Sequence, residues 1–257
     1  MTGTQRKKWA HDEAVLALGL YFQMPSAKIR SSAPEIVKLA RLMGRSSASL
    51  SMKMDNFGRL DPSLAVKGIS GLKNGSKLDK QVWDEFVDRR EELSELYHEL
   101  ISKLKGGDAL VDDDMIKVPP GMDAVRLSHY RINQSFFRKS VLSAYNYTCC
   151  ITGLEDVRLL IASHIKPWAA CDNGNERTDT TNGLCLNALH DRAFDKGLIT
   201  LDEEMRVVVS KALKHAVSRA VFNDYFIRYE GKKIVAPERG RPSEEFLAYH
   251  RGKIFLS

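Results

Sequence analysis

The sequence predicts an α+β protein in which a helical N-terminal domain, a long connecting helix and a mixed C-terminal domain follow one another. Its 257 residues are enough for two domains, each with its own core. In the C-terminal half, the apolar run 159–162 favours a strand. Residues 105–122 combine glycines, an acidic triplet and a Pro-Pro pair, which predict an interdomain linker. We expect domains at 1–78 (helical module), 79–121 (long helix and linker) and 122–257.

Composition points to a folded protein with an excess of positive charge. The chain has 39 Lys and Arg against 33 Asp and Glu, a formal net charge of +6, which attracts polyanions such as nucleic acid. No apolar run approaches the roughly 20 residues that span a bilayer, and the N-terminus lacks a secretory signal, so we expect a cytoplasmic protein. The cysteines form no CxxC pair and predict buried, reduced thiols. They are Cys149, Cys150, Cys171 and Cys185.

Three short helices are predicted in the N-terminal domain. The first opens at Asp12, and the second begins at Pro34, whose ring fits the first turn of a helix. The third follows a tight glycine turn, is capped by Ser46 or Ser47, and continues to about Phe57. Three helices with a turn before the last are typical of a helix-turn-helix arrangement.

This arrangement resembles Myb/SANT-like trihelical DNA-binding modules over roughly residues 8–60, with Trp9 at the start of the first helix. The resemblance implies that polar residues on and before the third helix face a DNA groove or its phosphates. These residues are Arg45, Ser47, Ser49, Lys53 and Asn56. The sequence leaves open the alternative that the helices pack on the C-terminal domain and carry these residues as a solvated face.

Residues 79–105 predict one long amphipathic helix, because their apolar side chains recur at near-helical spacing between dense charges. The apolar positions are Val82, Phe86, Leu93, Leu96, Leu100 and Leu104. This stripe can seat against the linker or against a second copy of the chain. Its spacing is too irregular to predict a coiled coil.

Four linked motifs in the C-terminal half carry the strongest functional signal. They are CITG at 150–153, HIKPW at 164–168, NGL at 182–184 and FDKGLI at 194–199. In this order they resemble the bacterial HNH (ββα-metal) endonuclease family over roughly residues 130–257. The resemblance implies a ββα-metal domain that hydrolyses phosphodiester bonds in duplex DNA with the help of a divalent cation.

The hydrolysis that this resemblance implies needs a base to activate water and a scaffold that holds the base in place. His164 suits the role of base, because an imidazole titrates near neutrality and this one ends the predicted strand. Asn182 matches the family asparagine, which implies that it braces the loop carrying the base or reaches the metal. Its alternative role is that of a helix cap.

The metal ligands are ambiguous in the sequence. The family's metal-binding histidine corresponds to His190, which the resemblance also makes a catalytic residue, or to Asp191. Asp195 lies one helical turn after Asp191, so the two can share a face. Ser163 stands where many relatives place a stronger ligand. We expect Mg²⁺, leave Mn²⁺ and other transition metals open, and expect no structural zinc because the cysteine spacing is wrong.

Basic residues around the motifs are candidates to meet the DNA backbone, with affinity that falls as salt rises. They are Lys166, Arg177, Arg192 and Lys196. The domain order suggests a restriction or defence enzyme whose N-terminal module selects a site or a modified base. A homodimer is expected because cutting both strands needs two active sites or two visits. The alternative hypotheses are a non-catalytic DNA-binding regulator on a degenerate HNH scaffold and a nuclease that acts on RNA or on single strands.

Overall fold

The computed structural model describes residues 7–66, 75–107, 123–215 and 218–257. The chain divides into two compact units, Met1–Asn133 and Gln134–Ser257. The N-terminal unit is helical where it is described, and the C-terminal unit combines helices with two small antiparallel sheets. The predicted α+β class is therefore confirmed. Within the described ranges, every helix is too short or too polar to cross a bilayer.

The N-terminal unit is organised around its first helix, in which all residues from Ala14 to Phe22 are buried. Its helices are α1 (His11–Phe22), α2 (Pro34–Leu42), α3 (Ser47–Gly58), α4 (Pro62–Ala65), α5 (Lys77–Phe86) and α6 (Arg90–Lys105). Helices α3, α5 and α6 all pack against α1. The predicted starts of α2 and α3 agree with the structure, because Pro34 lies in the first turn of α2 and the Ser46 hydroxyl accepts a hydrogen bond from Ser49 N at 3.2 Å.

The single helix predicted over residues 79–105 is wrong, because α5 and α6 are separate helices. Two arginine side chains compensate for the break by capping carbonyl groups at the end of α5. Arg89 Nε donates to Glu85 O at 2.7 Å, and Arg90 Nε donates to Val87 O at 2.7 Å. The break allows both helices to pack on α1, so they belong to the N-terminal unit rather than to a separate connecting segment.

The predicted linker at 105–122 falls largely on residues 108–122, which lie outside the described residues. The next described element is α7 (Ala124–Ala144), and the division between the two units falls within it, after Asn133. The C-terminal unit therefore begins in the second half of a helix. The sequence had placed that boundary earlier, at residue 122.

The C-terminal unit contains a ββα arrangement. Its elements after α7 are β1 (Leu160–His164), α8 (Gly174–Thr178), β2 (Gly183–Asn187), α9 (Ala188–Asp195), β3 (Ile199–Leu201), β4 (Val207–Val209), α10 (Arg219–Tyr225) and α11 (Glu244–Lys253). Strand β1 pairs antiparallel with β2, so that Leu160 lies opposite Asn187 and His164 opposite Gly183. Helix α9 follows β2 directly and packs against both strands. Strands β3 and β4 form a second antiparallel pair.

The end of the chain returns to this ββα arrangement and holds it. His250 on α11 is buried, receives a hydrogen bond from the Thr200 hydroxyl at 2.9 Å on Nδ1, and donates from Nε2 to Phe194 O at 3.0 Å. Beyond α11, Leu256 N donates to Gly197 O at 2.9 Å. The folded unit therefore includes the C-terminal helix, whose histidine the sequence analysis did not single out.

Candidate active site

His164 is the last residue of β1, and its ring is held from two directions. Its Nε2 atom lies 2.9 Å from Arg177 O, and its ring stacks on Phe137 with 3.8 Å between centroids. Because a carbonyl oxygen only accepts hydrogen bonds, Nε2 carries the hydrogen and the lone pair is on Nδ1. Burial lowers the pKa of His164 to about 4, although the bond to Arg177 O opposes the shift. The neutral ring at ordinary pH is thus able to accept a proton.

Asn182 is fully buried beside the loop that follows His164. Its Oδ1 accepts from Lys166 N at 2.7 Å, and its Nδ2 donates to Lys166 O at 3.1 Å and to Glu176 O at 3.0 Å. Its backbone carbonyl accepts from Ile165 N at 2.9 Å. Asn182 therefore ties both ends of the loop together next to the histidine.

His190, which the sequence predicts as a catalytic residue or a metal ligand, lies in α9. Its Nε2 is 2.8 Å from Tyr225 O and its Nδ1 is 3.1 Å from Asn187 Oδ1. The ring is buried against Phe226 and Tyr229, and this burial lowers the pKa of His190. Both ring nitrogens lie against oxygen atoms of the protein, an environment that does not favour a metal ion, and the role of His190 stays a prediction.

The oxygen ligands expected for a metal occupy different environments. Ser163 is buried, and its hydroxyl has no hydrogen-bond partner among the described residues. Because side chains alternate along a strand, Ser163 points to the opposite side of β1 from His164. Asp191 is buried in α9, whereas Asp195 at the end of that helix is exposed.

A hard carboxylate oxygen is chemically suited to Mg²⁺. The described residues include no cluster of three or more His, Cys, Asp or Glu arranged to hold a metal. Mg²⁺ is commonly bound through only one or two carboxylates, with water and substrate phosphates completing its shell. The buried Asp191 carboxylate fits that pattern better than a nitrogen and sulfur site would.

The four basic residues expected to contact DNA differ in how accessible their charges are. The predicted DNA contact of Lys166 is corrected, because its side chain is buried and already paired. Its Nζ lies 2.6 Å from Asp172 Oδ2 and 2.8 Å from Glu176 Oε2, and these partners raise its pKa. Arg177 is half-buried, with a buried Nε that has no hydrogen-bond partner in the described structure. The remaining two, Arg192 and Lys196, are exposed on and just after α9.

In the N-terminal unit, the structure also corrects the expected DNA contacts of Arg45. Its guanidinium donates to both carboxylate oxygens of Glu13, at 2.9 and 2.6 Å, and lies 4.1 Å from the centroid of the Trp9 ring. This bidentate pair holds the pKa of Glu13 at about 2, against the opposing effect of burial. The Arg45 side chain is only 6% exposed, so it stabilises the unit from inside.

Lys53 and Asn56 are likewise bound inside the unit by one buried carboxylate. Lys53 Nζ forms an ion pair with Asp79, and Asn56 Nδ2 donates to Asp79 Oδ2 at 2.9 Å. Ser47 and Ser49 are half-buried in the first turn of α3. The exposed residues of α3 are Ala48, Met52 and Asp55. The solvent side of this helix is therefore not the basic surface that a recognition helix would present.

The four cysteines are buried free thiols. Burial raises the pKa of Cys185 to about 12 and that of Cys171 to about 11. The Cys171 thiol donates to the backbone of the loop after His164, at 3.6 Å to Lys166 O and 3.5 Å to Pro167 O. The Cys171 and Cys185 thiols are therefore protonated packing groups at ordinary pH.

A sequence model of a known family matches this region. The model, described as HNH endonuclease, matches residues 149–202, which contain β1, β2 and α9. Residues 149–202 therefore form an HNH endonuclease domain. The folded HNH domain extends beyond the matched segment on both sides, because Phe137 stacks on His164 and His250 is bonded to α9. No curated protein matches the chain.

Among solved structures, the chain is similar to one described as a modification-dependent TagI restriction endonuclease. The two are 19% identical, with a TM-score of 0.33, and the similarity covers 46% of this chain and 37% of that one. The chain therefore spans a little over a third of that protein's length. At this TM-score the likeness does not establish a shared fold.

Two buried histidines make the HNH domain sensitive to acid. The pKa values of His164 and His250 are both lowered from 6.5 to about 4 by burial, so the unfolded chain binds these protons more readily than the folded one. Their contribution to stability is complete above pH 6.5 and is lost as pH falls through about 4. Within that window, each histidine makes the free energy of unfolding fall by up to about 1.4 kcal/mol per pH unit.

Urea unfolding at several pH values from about 6.5 down to about 5 would measure this slope. His250→Gln is expected to reduce the slope, because it removes one of the histidines whose pKa burial lowers. A free energy of unfolding that stays constant over this range would contradict the prediction.

Proposed function

We propose that this chain is a metal-dependent endonuclease that hydrolyses phosphodiester bonds in duplex DNA, in a restriction or defence role. The observation that supports it most directly is the state of His164 within an HNH domain. Its Nε2 hydrogen is held by Arg177 O, and its Nδ1 is left as a proton acceptor. A histidine in this state is prepared to act as a general base.

His164 would take a proton from the attacking water on Nδ1. The proton on Nε2 stays with the Arg177 carbonyl, whose dipole favours the imidazolium that forms. In the protein alone, burial holds the pKa of His164 at about 4, which keeps the ring neutral but makes it a weak base. A DNA phosphate beside the ring would raise that pKa, so the substrate's own charge strengthens the base.

Arg177 is our candidate for contact with the scissile phosphate. Its guanidinium carbon lies 5.6 Å from the centroid of the Trp168 ring, and that ring meets His164 edge to face at 5.7 Å. A guanidinium forms paired hydrogen bonds with phosphate, and the buried Nε of Arg177 has no partner in the described structure. The exposed Arg192 and Lys196 would contact the DNA backbone further along α9.

We propose Asp191 as the side chain that holds a divalent cation, with Mg²⁺ as first choice and with water and DNA phosphate completing its shell. A cation bound there would offset charge on the scissile phosphate and on the leaving oxygen. Asp195, which is exposed, would be a minor contributor.

The N-terminal unit is proposed to direct the HNH domain to a site or to a modified base. Its exposed cations support contact with DNA through α2 and the turn before it, rather than through α3. These cations are Arg30, Lys38 and Arg41. Homodimer formation and a cytoplasmic location stay predictions from the sequence.

The proposed function is tested by incubating the full chain with plasmid DNA, modified and unmodified, in Mg²⁺, Mn²⁺ or EDTA. We expect cleavage with metal and none with EDTA. Asp191→Asn is expected to slow cleavage at least about 100-fold, because a neutral amide is a poorer ligand for a hard cation. Asp195→Asn, the same change one turn along α9, is its matched control and is expected to have a much smaller effect.

Equal effects of the two substitutions would contradict the assignment of Asp191. Thermal unfolding of both variants separates a lost ligand from a lost fold. If no substrate is cut while DNA is still bound, the function is that of the non-catalytic regulator instead.

A further inference from the structure

Lys166 lies two residues after His164, and its charge is enclosed by the protein. Its side chain is 10% exposed, and its Nζ is within 2.8 Å of Glu176 Oε2 and 2.6 Å of Asp172 Oδ2. The Glu176 side chain is 19% exposed, whereas that of Asp172 is 78% exposed. Screening by solvent weakens the pair with Asp172, so the pair with Glu176 is the stronger of the two.

This environment is unsuited to binding DNA. Two carboxylates already neutralise the Lys166 ammonium, and the three groups together carry a net negative charge. A phosphate would have to displace a carboxylate from a buried cation, which costs more than it gains. The ion pair therefore serves the fold of the loop after β1.

A closed series of contacts connects Lys166 to the base. Glu176 belongs to α8, which has only five residues and depends on its surroundings to stay folded. The side chain of Glu176 accepts from Lys166 Nζ at 2.8 Å and from Asp172 N at 2.9 Å, and its backbone oxygen accepts from Asn182 Nδ2 at 3.0 Å. The next residue, Arg177, presents its carbonyl to His164 Nε2 at 2.9 Å.

We propose that Lys166 is a positioning residue for the general base. Its ion pair with Glu176 fixes α8 so that the Arg177 carbonyl stays against Nε2 of His164. That contact keeps the proton on Nε2 and the lone pair on Nδ1, facing the water to be activated. The inference rests on the proposed role of His164 as the base, and it assigns to Lys166 a part in catalysis without contact with DNA.

The consequence is a division between catalysis and binding. Loss of the ion pair removes one of the contacts that hold α8, so the Arg177 carbonyl can shift and the His164 ring can change its tautomer and orientation. The rate of the chemical step then falls. The surface that contacts DNA is unchanged, so affinity and its dependence on salt stay the same. A lysine that bound phosphate would have the opposite effect, with weaker binding and a salt slope smaller by about one.

The experiment uses the full chain with Lys166→Met, Glu176→Gln and the double variant. Asp172→Asn is the control, because it changes the exposed partner of the same lysine. We measure single-turnover cleavage, DNA affinity at several salt concentrations, and the His164 tautomer by nitrogen NMR without DNA. Lys166→Met and Glu176→Gln are each expected to slow cleavage about 10- to 100-fold, by analogy with the loss of groups that orient functional histidines. The double variant is expected to be no slower than the worse single variant.

The cleavage rate of Asp172→Asn is expected to stay within about threefold of that of the parent protein, because an ion pair screened by solvent contributes little. If Lys166→Met unfolds the domain, Glu176→Gln tests the same link while keeping the side chain's shape. The proposal is overturned if the His164 tautomer is unchanged in both variants, or if Lys166→Met lowers the salt slope. The tautomer measurement needs no cleavage, so it separates failure of this inference from failure of the nuclease proposal, which His164→Ala tests.

Discussion

Replacement of His164 by alanine is expected to slow single-turnover cleavage of plasmid DNA by about 10²- to 10⁴-fold, the usual contribution of a general base. DNA affinity is expected to change little, because the half-buried ring lies against Phe137 and the Arg177 carbonyl. The base acts in its neutral form, so activity is lost as pH falls through its pKa. With that pKa at about 4, kcat/KM of the parent protein is expected to show no acid limb until well below neutrality.

His190→Gln is the matched comparison for His164→Ala, since both histidines are held within the HNH domain. His190 has both ring nitrogens against oxygen atoms, so its replacement is expected to act mainly through stability. Activities are therefore compared at a temperature where both variants are folded. If His190→Gln slows cleavage as much as His164→Ala does, the proposed assignment of the general base to His164 is wrong.

The parts of the fold that the sequence predicted well depend on local signals. Pro34 and the Ser46 cap act within one turn of the helices that they start, so their effect is readable from neighbouring residues. The break between α5 and α6 carries no comparable signal. It results from the packing of two helices on the buried α1, which only the folded unit reveals.

The charged residues of the predicted sites also depend on tertiary contacts that local sequence does not reveal. Sequence shows that Arg45, Lys53 and Lys166 are basic, but it does not show which acidic group each one meets. Arg45 pairs with a carboxylate 32 positions away, and Lys53 with one 26 positions away. Motif order and the spacing of His164 and Asn182 could be read from the sequence. The ion pairs that these basic residues form inside the fold could not be read from it.

Gly197, the glycine of the FDKGLI motif, is expected to tolerate replacement poorly, because left-handed backbone conformation and close packing coincide there. Its φ of +67° lies in the left-handed region, and a Cβ atom built on it would stand 2.0 Å from Ile254 O. That contact is with backbone, so no side-chain rotation relieves it. Gly197→Ala is therefore expected to destabilise the HNH domain by at least about 3 kcal/mol, the sum of left-handed strain and a displaced C-terminal segment.

Gly231→Ala separates the two causes, since Gly231 has a φ of +70° and no atom within 4 Å of an added Cβ. It is expected to cost only about 1 to 2 kcal/mol, the price of left-handed backbone alone. Thermal unfolding of the two variants measures the difference. Equal losses would mean that the segment after α11 is not held tightly at Gly197. A larger loss of stability at Gly197 would show that this position must be glycine so that the segment after α11 can pack against it. His250 and Leu256 then form the hydrogen bonds that hold α9 and the turn after it in place.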